Sequence, residues 1–246
     1  MKCYVSCINC SYHEIAKYEC DKITINVKEA DVCIDDPVQF FMNFRQHYPK
    51  CRLWGDSMAD PEAYREFNNA PEFDVASRWN YEYFKKAGFH VGSVIPRRID
   101  VVRTQVKQKD ILFLSVGVSR YFDRKNMSLI PELGIRKLTV IVSNVTPQYA
   151  LRDGKLIKVH SVIPNYPAFT LSKEKLNELY ARSRFYLALS VSEGFGLPPL
   201  EASYHGAIPI YVNGHGFREN LVGMPVDVKE EYSVKVGNYT FRVWEP

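Results

Sequence analysis

The sequence predicts an α/β fold with a parallel sheet covered by helices on both faces. From Ile111 onward, short apolar strands alternate with helical stretches, the pattern of a β-α-β chain. Several of these strands are continuously apolar, as expected of strands buried on both sides. Glycine and proline punctuate the second half at segment ends, whereas no glycine precedes Gly55.

Ile111 to Val116 is the first such strand and Leu138 to Val142 the second, with Leu156 to His160 a candidate third. Ser172 is placed to cap a helix running to about Ser183, with Leu176, Leu179 and Tyr180 on one face. Phe185 to Leu189 reads as the next strand. Pro198 to His205 reads as a helix entered through proline and closed by Gly206. Ile208 to Val212 is a further strand. The tail from Tyr232 to Trp244 alternates around Gly237-Asn238 and reads as a hairpin.

The first half is less regular. Lys2 to Ile8, Ile23 to Val27 and Arg52 to Trp54 are strand-like, and Ser77 to Ala87 is helical with Gly88 just past its end. The aromatic cluster Trp79, Tyr81, Tyr83 and Phe84 reads as packing. Val94 to Lys109, rich in Pro, Arg, Lys and Gln, is the candidate linker, which sets two domains at 1–97 and 98–246.

Composition bounds the function. The chain has 246 residues and a formal net charge of +4. Its sharpest basic clusters are Arg97-Arg98 and Arg120 to Lys125. That suits a phosphorylated small molecule rather than a nucleic acid, which calls for a basic stripe. No run of about 18 apolar residues appears and the N-terminus lacks a signal-like apolar stretch, so the expected location is cytoplasmic. All six cysteines lie at or before Cys51. Cys7-x-x-Cys10 has metal-ligand spacing, with only His13 and Cys20 nearby at poor spacing for zinc. Buried structural thiols are the expectation, with a disulfide the alternative in a hyperthermophile protein.

The chemistry concentrates in Ser190-Val191-Ser192-Glu193-Gly194-Phe195-Gly196-Leu197-Pro198-Pro199-Leu200-Glu201-Ala202. A buried strand ends, a turn with two glycines follows, and a helix starts. Glycines there let the backbone approach a ligand, and the helix N-terminus favours an anion. Glu193 and Glu201 flank that anion position. A carboxylate beside a phosphate makes sense where it accepts hydrogen bonds from sugar hydroxyls, so the ligand has both phosphate and sugar parts.

This stretch resembles the E-x7-E motif of retaining GT-B glycosyltransferases, the group 1 or family 4-like enzymes. The similarity extends to Phe113-Leu114-Ser115-Val116-Gly117 with Arg124-Lys125, to Gly206-Ala207-Ile208-Pro209, and to Asn213-Gly214-His215-Gly216 with Glu219. It covers about Val75 to Val228. The resemblance implies two Rossmann-like domains with parallel sheets, and the short N-terminal one reads as that of a reduced enzyme, as compact genomes such as viral ones encode, or as a fragment.

It further implies a metal-independent hexosyl transfer from a UDP or GDP sugar to an unidentified glycan, protein or lipid acceptor, with no cofactor. Lys125 would meet the donor diphosphate, with Arg124 or Arg120 assisting. Arg120 would supply the charge that the family's Gly-Arg turn places where this chain reads Gly117-Val118. Glu193 would contact the transferred sugar and Glu201 the ribose hydroxyls. The backbone of Gly194, Phe195, Gly196 and Leu197 would meet sugar and phosphate, and the loop from Val162 to Pro167 would lie near the base. His215 is a candidate for a phosphate or acceptor contact. Where the family often has Thr-x-His, this chain reads Gly55-Asp56-Ser57, with Asp56 a candidate polar replacement. A catalytically silent sugar-nucleotide-binding module acting with a partner is the second reading. A dinucleotide oxidoreductase is disfavoured, because no G-x-G-x-x-G follows an early strand.

Overall fold

The computed structural model describes residues 1–7, 10–99, 101–117, 124–126, 129, 133, 137–142, 149–152, 155–158 and 171–245; for 117, 137–142, 149–152, 155–158 and 245 only the backbone is considered. The chain divides into two compact units. The first comprises Met1–Asp100, Glu193–Phe195 and Tyr232–Val243, and the second Val101–Ser192, Gly196–Glu231 and Trp244–Pro246.

The first unit holds a six-stranded parallel sheet of β1 (Lys2–Val5), β2 (Lys22–Thr24), β3 (Val32–Ile34), β4 (Arg52–Gly55), β5 (Phe73–Val75) and β6 (Val91–Val94), in the order β2-β1-β3-β4-β5-β6. The order reverses between β1 and β3, which opens a crevice at their C-terminal ends. Helix α1 (Ser11–Glu19) follows β1, and α2 (Pro37–Phe44) follows β3. Asp36 caps α2 by accepting from the N–H groups of Val38 and Gln39, and Pro37 sits at the first helical position. Helix α3 (Arg78–Lys86) is capped by Ser77 and ends at Gly88, whose φ of +91° favours glycine.

The core of this unit is aromatic. Phe73 packs edge-on against Phe41 and Phe84, each with ring centroids 5.3 Å apart, and Phe84 meets Phe89 at 5.1 Å. Phe84 thus does the packing expected of it, and Trp79 lies against Tyr83 at 4.8 Å. The hairpin of β14 (Glu230–Val236) and β15 (Tyr239–Glu245) turns at Gly237, φ +60°. Its Thr240 accepts from the Asp60 N–H and its Arg242 donates to the Met58 carbonyl.

The cysteine expectation is corrected. All six are paired, as Cys3–Cys20, Cys7–Cys10 and Cys33–Cys51. Cys3 in β1 and Cys33 in β3 are fully buried, so thiols there have partners within reach rather than solitary pockets. Among the described residues, no group of three or more His, Cys, Asp or Glu side chains is placed to hold a metal ion.

The second unit is a seven-stranded sheet. Its strands are β7 (Ile111–Gly117), β8 (Lys137–Val142), β9 (Tyr149–Arg152), β10 (Lys155–Lys158), β11 (Ser183–Ala188), β12 (Ile208–Val212) and β13 (Met224–Val226), in the order β10-β9-β8-β7-β11-β12-β13. Five strands from β8 to β13 run parallel. The candidate strand near Leu156 departs from that pattern, because β9 and β10 pair antiparallel and β9 joins β8 antiparallel. Only two residues separate β9 from β10, too few for a parallel crossover.

Helix α4 (Lys173–Arg182) is capped by Ser172, and its Leu179 and Tyr180 are buried. Helix α5 (Leu197–Tyr204) follows β11 and closes through Gly206, φ +82°. Helix α6 (His215–Asn220) follows β12. Leu114, Tyr180, Ala202, Val212, Phe217 and Trp244 belong to one buried cluster, which fixes α4, α5 and α6 on the sheet. Among the described residues, no helix is long and apolar enough to cross a membrane.

Candidate active site

In the second unit the strand order reverses between β7 and β11, where an open α/β sheet binds its ligand beyond the strand C-termini. A pocket lies there. Ser115 and Val116 of β7, Leu189 and Ser190 after β11, Lys125 and Pro199 line it. Lys125 thus shares this pocket with Pro199 of the first turn of α5.

The start of α5 is shaped by Gly196. Its φ is +91°, and a Cβ on it would stand 2.5 Å from the Phe217 ring. Only glycine meets both conditions. Leu197 opens the helix and Pro198 follows, so no side chain caps the helix N-terminus. Its amide groups and dipole are those of an anion-binding end.

Arg124 bonds to the strand exit that leads into the motif. Its Nη1 donates to the Ser192 carbonyl at 2.7 Å, and its own carbonyl accepts from the Val191 N–H at 2.8 Å. Gly117 is the last residue of β7. Arg120 and the loop from Val162 to Pro167 lie outside the described residues.

Glu201 sits in the second turn of α5 and pairs with Lys173 of α4. Tyr180 lies behind it. Burial pushes the Tyr180 hydroxyl well above the ordinary tyrosine range, and the Glu201 charge adds to that. His215 is 3% exposed and packs edge-on against Trp244 at 3.9 Å. It stands at φ +46°, where a Cβ-bearing residue is strained.

Glu193, Gly194 and Phe195 belong to the first unit. Gly194 lies against Asp56, whose Oδ2 would be 2.3 Å from a Cβ at that position. Asp56 follows β4 and forms an ion pair with the buried Arg97. The Arg97 guanidinium stands 5.2 Å from the centroid of the Tyr12 ring and 5.6 Å from that of Trp54. Burial lowers Arg97 to about 10, against the opposing influence of Tyr12, Glu193 and Glu19. Tyr12 donates its hydroxyl to the Asp56 carbonyl at 2.8 Å. Asp56, Arg97 and Tyr12 thus form a charged cluster around Glu193.

A second polar cluster closes the β3 end. Asp36 Oδ2 accepts from the Tyr239 hydroxyl at 2.6 Å and the Ser57 hydroxyl at 2.8 Å. Asn80 and Ser57 exchange two hydrogen bonds, both 3.0 Å. Asp35 is 2% exposed, and burial raises it to about 6; the adjacent Asp36 charge acts in the same direction. Asp36 is also raised by burial, with its four hydrogen bonds acting against the shift.

No family model matches the sequence. Curated relatives do. The chain is 44% identical over 255 residues to a protein of Sulfolobus islandicus filamentous virus (isolate Iceland/Hveragerdi) named "Putative glycosyltransferase 41", with 100% of this chain and 72% of that one covered. It belongs to this family of viral glycosyltransferases.

Further members are 32% identical over 176 residues (ORF330 of Acidianus filamentous virus 2) and 29% over 210 residues (ORF313 of Acidianus filamentous virus 1). They cover 68% and 77% of this chain. The chain spans only 53% and 61% of their length.

Among solved structures, HepE of Anabaena in complex with UDP-glucose matches with a TM-score of 0.64 at 11% identity, over 93% of this chain and 86% of that one. The pneumococcal O-GlcNAc transferase GtfA in complex with UDP and GlcNAc matches at 0.54 and 16%, over 81% and 46%. This glycosyltransferase therefore has the GT-B fold.

The motif-bearing residues of the glycosyltransferase were readable in sequence, but several of their neighbours were not. Lys173 and Tyr180 meet Glu201 only because α4 packs on α5. Asp36 carried a signal, an Asp-Pro pair at a helix entry ahead of Phe40 and Phe41. Arg97 carried one as half of the Arg97-Arg98 pair, though not as the partner of Asp56, whereas Asp35 and Tyr239 carried none, since only the fold assembles them.

Proposed function

We propose that this chain transfers a hexosyl group from a nucleoside diphosphate sugar, of the UDP class, to an acceptor hydroxyl with retention at the anomeric carbon. The observation that carries the reading is the pocket at the β7–β11 reversal, where Lys125 stands beside the uncapped start of α5. That pairing of a cation with a helix N-terminus suits a diphosphate. The ligands in the HepE and GtfA complexes, UDP-glucose and UDP with GlcNAc, favour uridine.

In the reaction, the bond from the anomeric carbon to the β-phosphate oxygen breaks and its electron pair stays with the nucleoside diphosphate. Lys125 and the α5 amides, which already hold the diphosphate, stabilise the charge that grows there, and the part of that interaction that strengthens towards the transition state is catalytic. The acceptor hydroxyl bonds to the same face of the carbon and passes its proton to the departing phosphate oxygen. Glu193 meets the transferred sugar, and Glu201 accepts from ribose hydroxyls, exchanging part of its pairing with Lys173. Backbone groups from Gly194 to Leu197 complete the contacts. Charge neutralisation by Lys125 and the helix end makes a bridging metal unnecessary, so turnover persists in a chelator.

Calorimetry with UDP and GDP tests the reading. The expected result is UDP binding in the micromolar range, about −8 kcal/mol, weakened by Glu201→Ala. Loss of donor hydrolysis in Glu193→Ala with UDP binding retained supports an enzyme. Absence of affinity for both nucleotides overturns the proposal, and UDP binding without turnover in any chelator-treated or metal-supplied sample leaves the silent binding module.

A further inference from the structure

The three disulfides differ in what they join. Cys3–Cys20 and Cys33–Cys51 each anchor a fully buried strand residue to a distant part of the chain, 17 and 18 positions away. Cys7–Cys10 spans only 3 positions. It ties Cys7, just past β1, to Cys10, the N-cap of α1, at the C-terminal edge of the first unit's sheet. A short loop confines the unfolded chain least, so this bond has the smallest constraining effect of the three.

Its chemical setting also differs. Cys10 is the N-cap of α1, and its sulfur accepts from the His13 N–H at 3.4 Å. A thiolate at a helix N-terminus is stabilised by the same amide groups and the helix dipole. Cys10 is buried, 6% exposed, whereas Cys7 is half-buried. One sulfur is therefore accessible to attack, and the other is placed to accept the electron pair as a good leaving group.

We propose that Cys7–Cys10 is a thiol–disulfide exchange site for a dithiol reductant. One thiolate of the reductant attacks Cys7 Sγ. The Cys7–Cys10 bond breaks, and its electron pair leaves on Cys10 Sγ, where the His13 N–H receives it. A mixed disulfide now joins Cys7 to the reductant. The reductant's second thiol loses its proton and attacks its own bound sulfur, which releases Cys7 as a thiolate. Two electrons have moved, the reductant has become a disulfide, and the two cysteines take up protons according to pH. The reverse sequence restores the bond.

The exchange reaches other groups of the unit through α1. Tyr12, the second residue of the helix, holds the Asp56 carbonyl and faces the Arg97 guanidinium. Opening the bond releases Cys7 from the start of that helix, while Cys10 keeps its cap on the His13 N–H. This part of the inference concerns the first unit alone and does not depend on the proposed transfer reaction.

The test is a redox titration of the native full chain. The protein is equilibrated across ratios of reduced to oxidised dithiothreitol, quenched with an alkylating agent, and mapped by peptide mass spectrometry. Cys7 and Cys10 are expected to become labelled together, at a ratio at least tenfold lower than labels Cys3, Cys20, Cys33 or Cys51. A Cys10→Ser variant, carrying a single thiol at Cys7, is expected to form a mixed disulfide with an aromatic disulfide reagent faster than Cys7→Ser does. Opening of all three bonds together, prior opening of either long-span bond, or absence of a Cys7–Cys10 bond at the oxidising end overturns the proposal. The wild-type titration decides it even where a variant fails to fold.

Discussion

Gly194 and Asp56 stand so close that a Cβ on the glycine would lie 2.3 Å from Oδ2 and 3.0 Å from the aspartate's own Cβ. Asp56 cannot easily yield, because the buried Arg97 pairs with its carboxylate and Tyr12 holds its carbonyl. The residue next to Glu193 is therefore glycine for a steric reason. Gly194→Ala is expected to displace the Glu193 backbone and lower donor turnover about 100-fold, the scale of an ångström-sized misplacement. UDP affinity is expected to stay within about twofold, since Lys125 and the α5 start are untouched. Parallel calorimetry and turnover measurements check this; equal activity in the alanine variant would show that the contact is slack.

One of the bonds that fasten the tail hairpin comes from a buried hydroxyl. Tyr239 donates to Asp36, which also caps α2 and accepts from Ser57. Tyr239→Phe keeps the ring and removes the donor. Loss of a hydrogen bond to a charged or strongly polar acceptor costs about 1.5–3 kcal/mol. A lowered denaturation midpoint in that range is expected. A change below about 0.5 kcal/mol would mean that Asp36 finds a replacement donor.

The two halves differed in how much they disclosed before folding, for a reason of length. Ile111–Gly117 and Ser183–Ala188 span seven and six residues, enough for an unbroken apolar run to mark a buried strand. Val32–Ile34 and Phe73–Val75 have three each, and one of them carries a buried aspartate, so no periodicity could reveal them. Ser172, Gly88 and Gly206 declared helix ends because capping is local chemistry. Cysteine pairing is not local, since six cysteines allow fifteen connectivities. The motif was legible as a run of residues, but Arg97 beside Asp56 depends on which strands neighbour one another.

Lys125 and Arg124 are adjacent in sequence yet have different surroundings. Lys125 lines the pocket, whereas Arg124 donates to the Ser192 carbonyl. Lys125→Ala is expected to weaken UDP binding about 10- to 100-fold, because a charge-assisted contact is lost and each tenfold is about 1.4 kcal/mol. Its UDP affinity should also lose salt sensitivity. Arg124→Ala is expected to act through stability, lowering the thermal midpoint with a smaller change in Kd. Calorimetry at two ionic strengths with a melting curve for each variant separates the two. The reverse ranking would make Arg124 the diphosphate contact.

Asp35 gives a pH signature to the first unit. Its folded-state pKa is about 6, raised from 3.8 chiefly by burial. Between those values the folded state holds the proton that the unfolded state has released, so stability falls as pH rises. The contribution is fully present below about pH 4 and is lost through about pH 6. A shift of about 2 units corresponds to at most ~3 kcal/mol. Asp36 lies alongside and is raised too, so the two titrate as a coupled pair. Asp35→Asn removes the ionisation while its amide oxygen can still accept from the Asp36 N–H, a bond of 2.8 Å in the native chain. Urea denaturation at pH 4.5, 5.5 and 7 is expected to show the variant gaining on the wild type as pH rises, with the largest advantage at pH 7. A difference that does not change with pH would mean that Asp35 is ionised in the folded protein throughout.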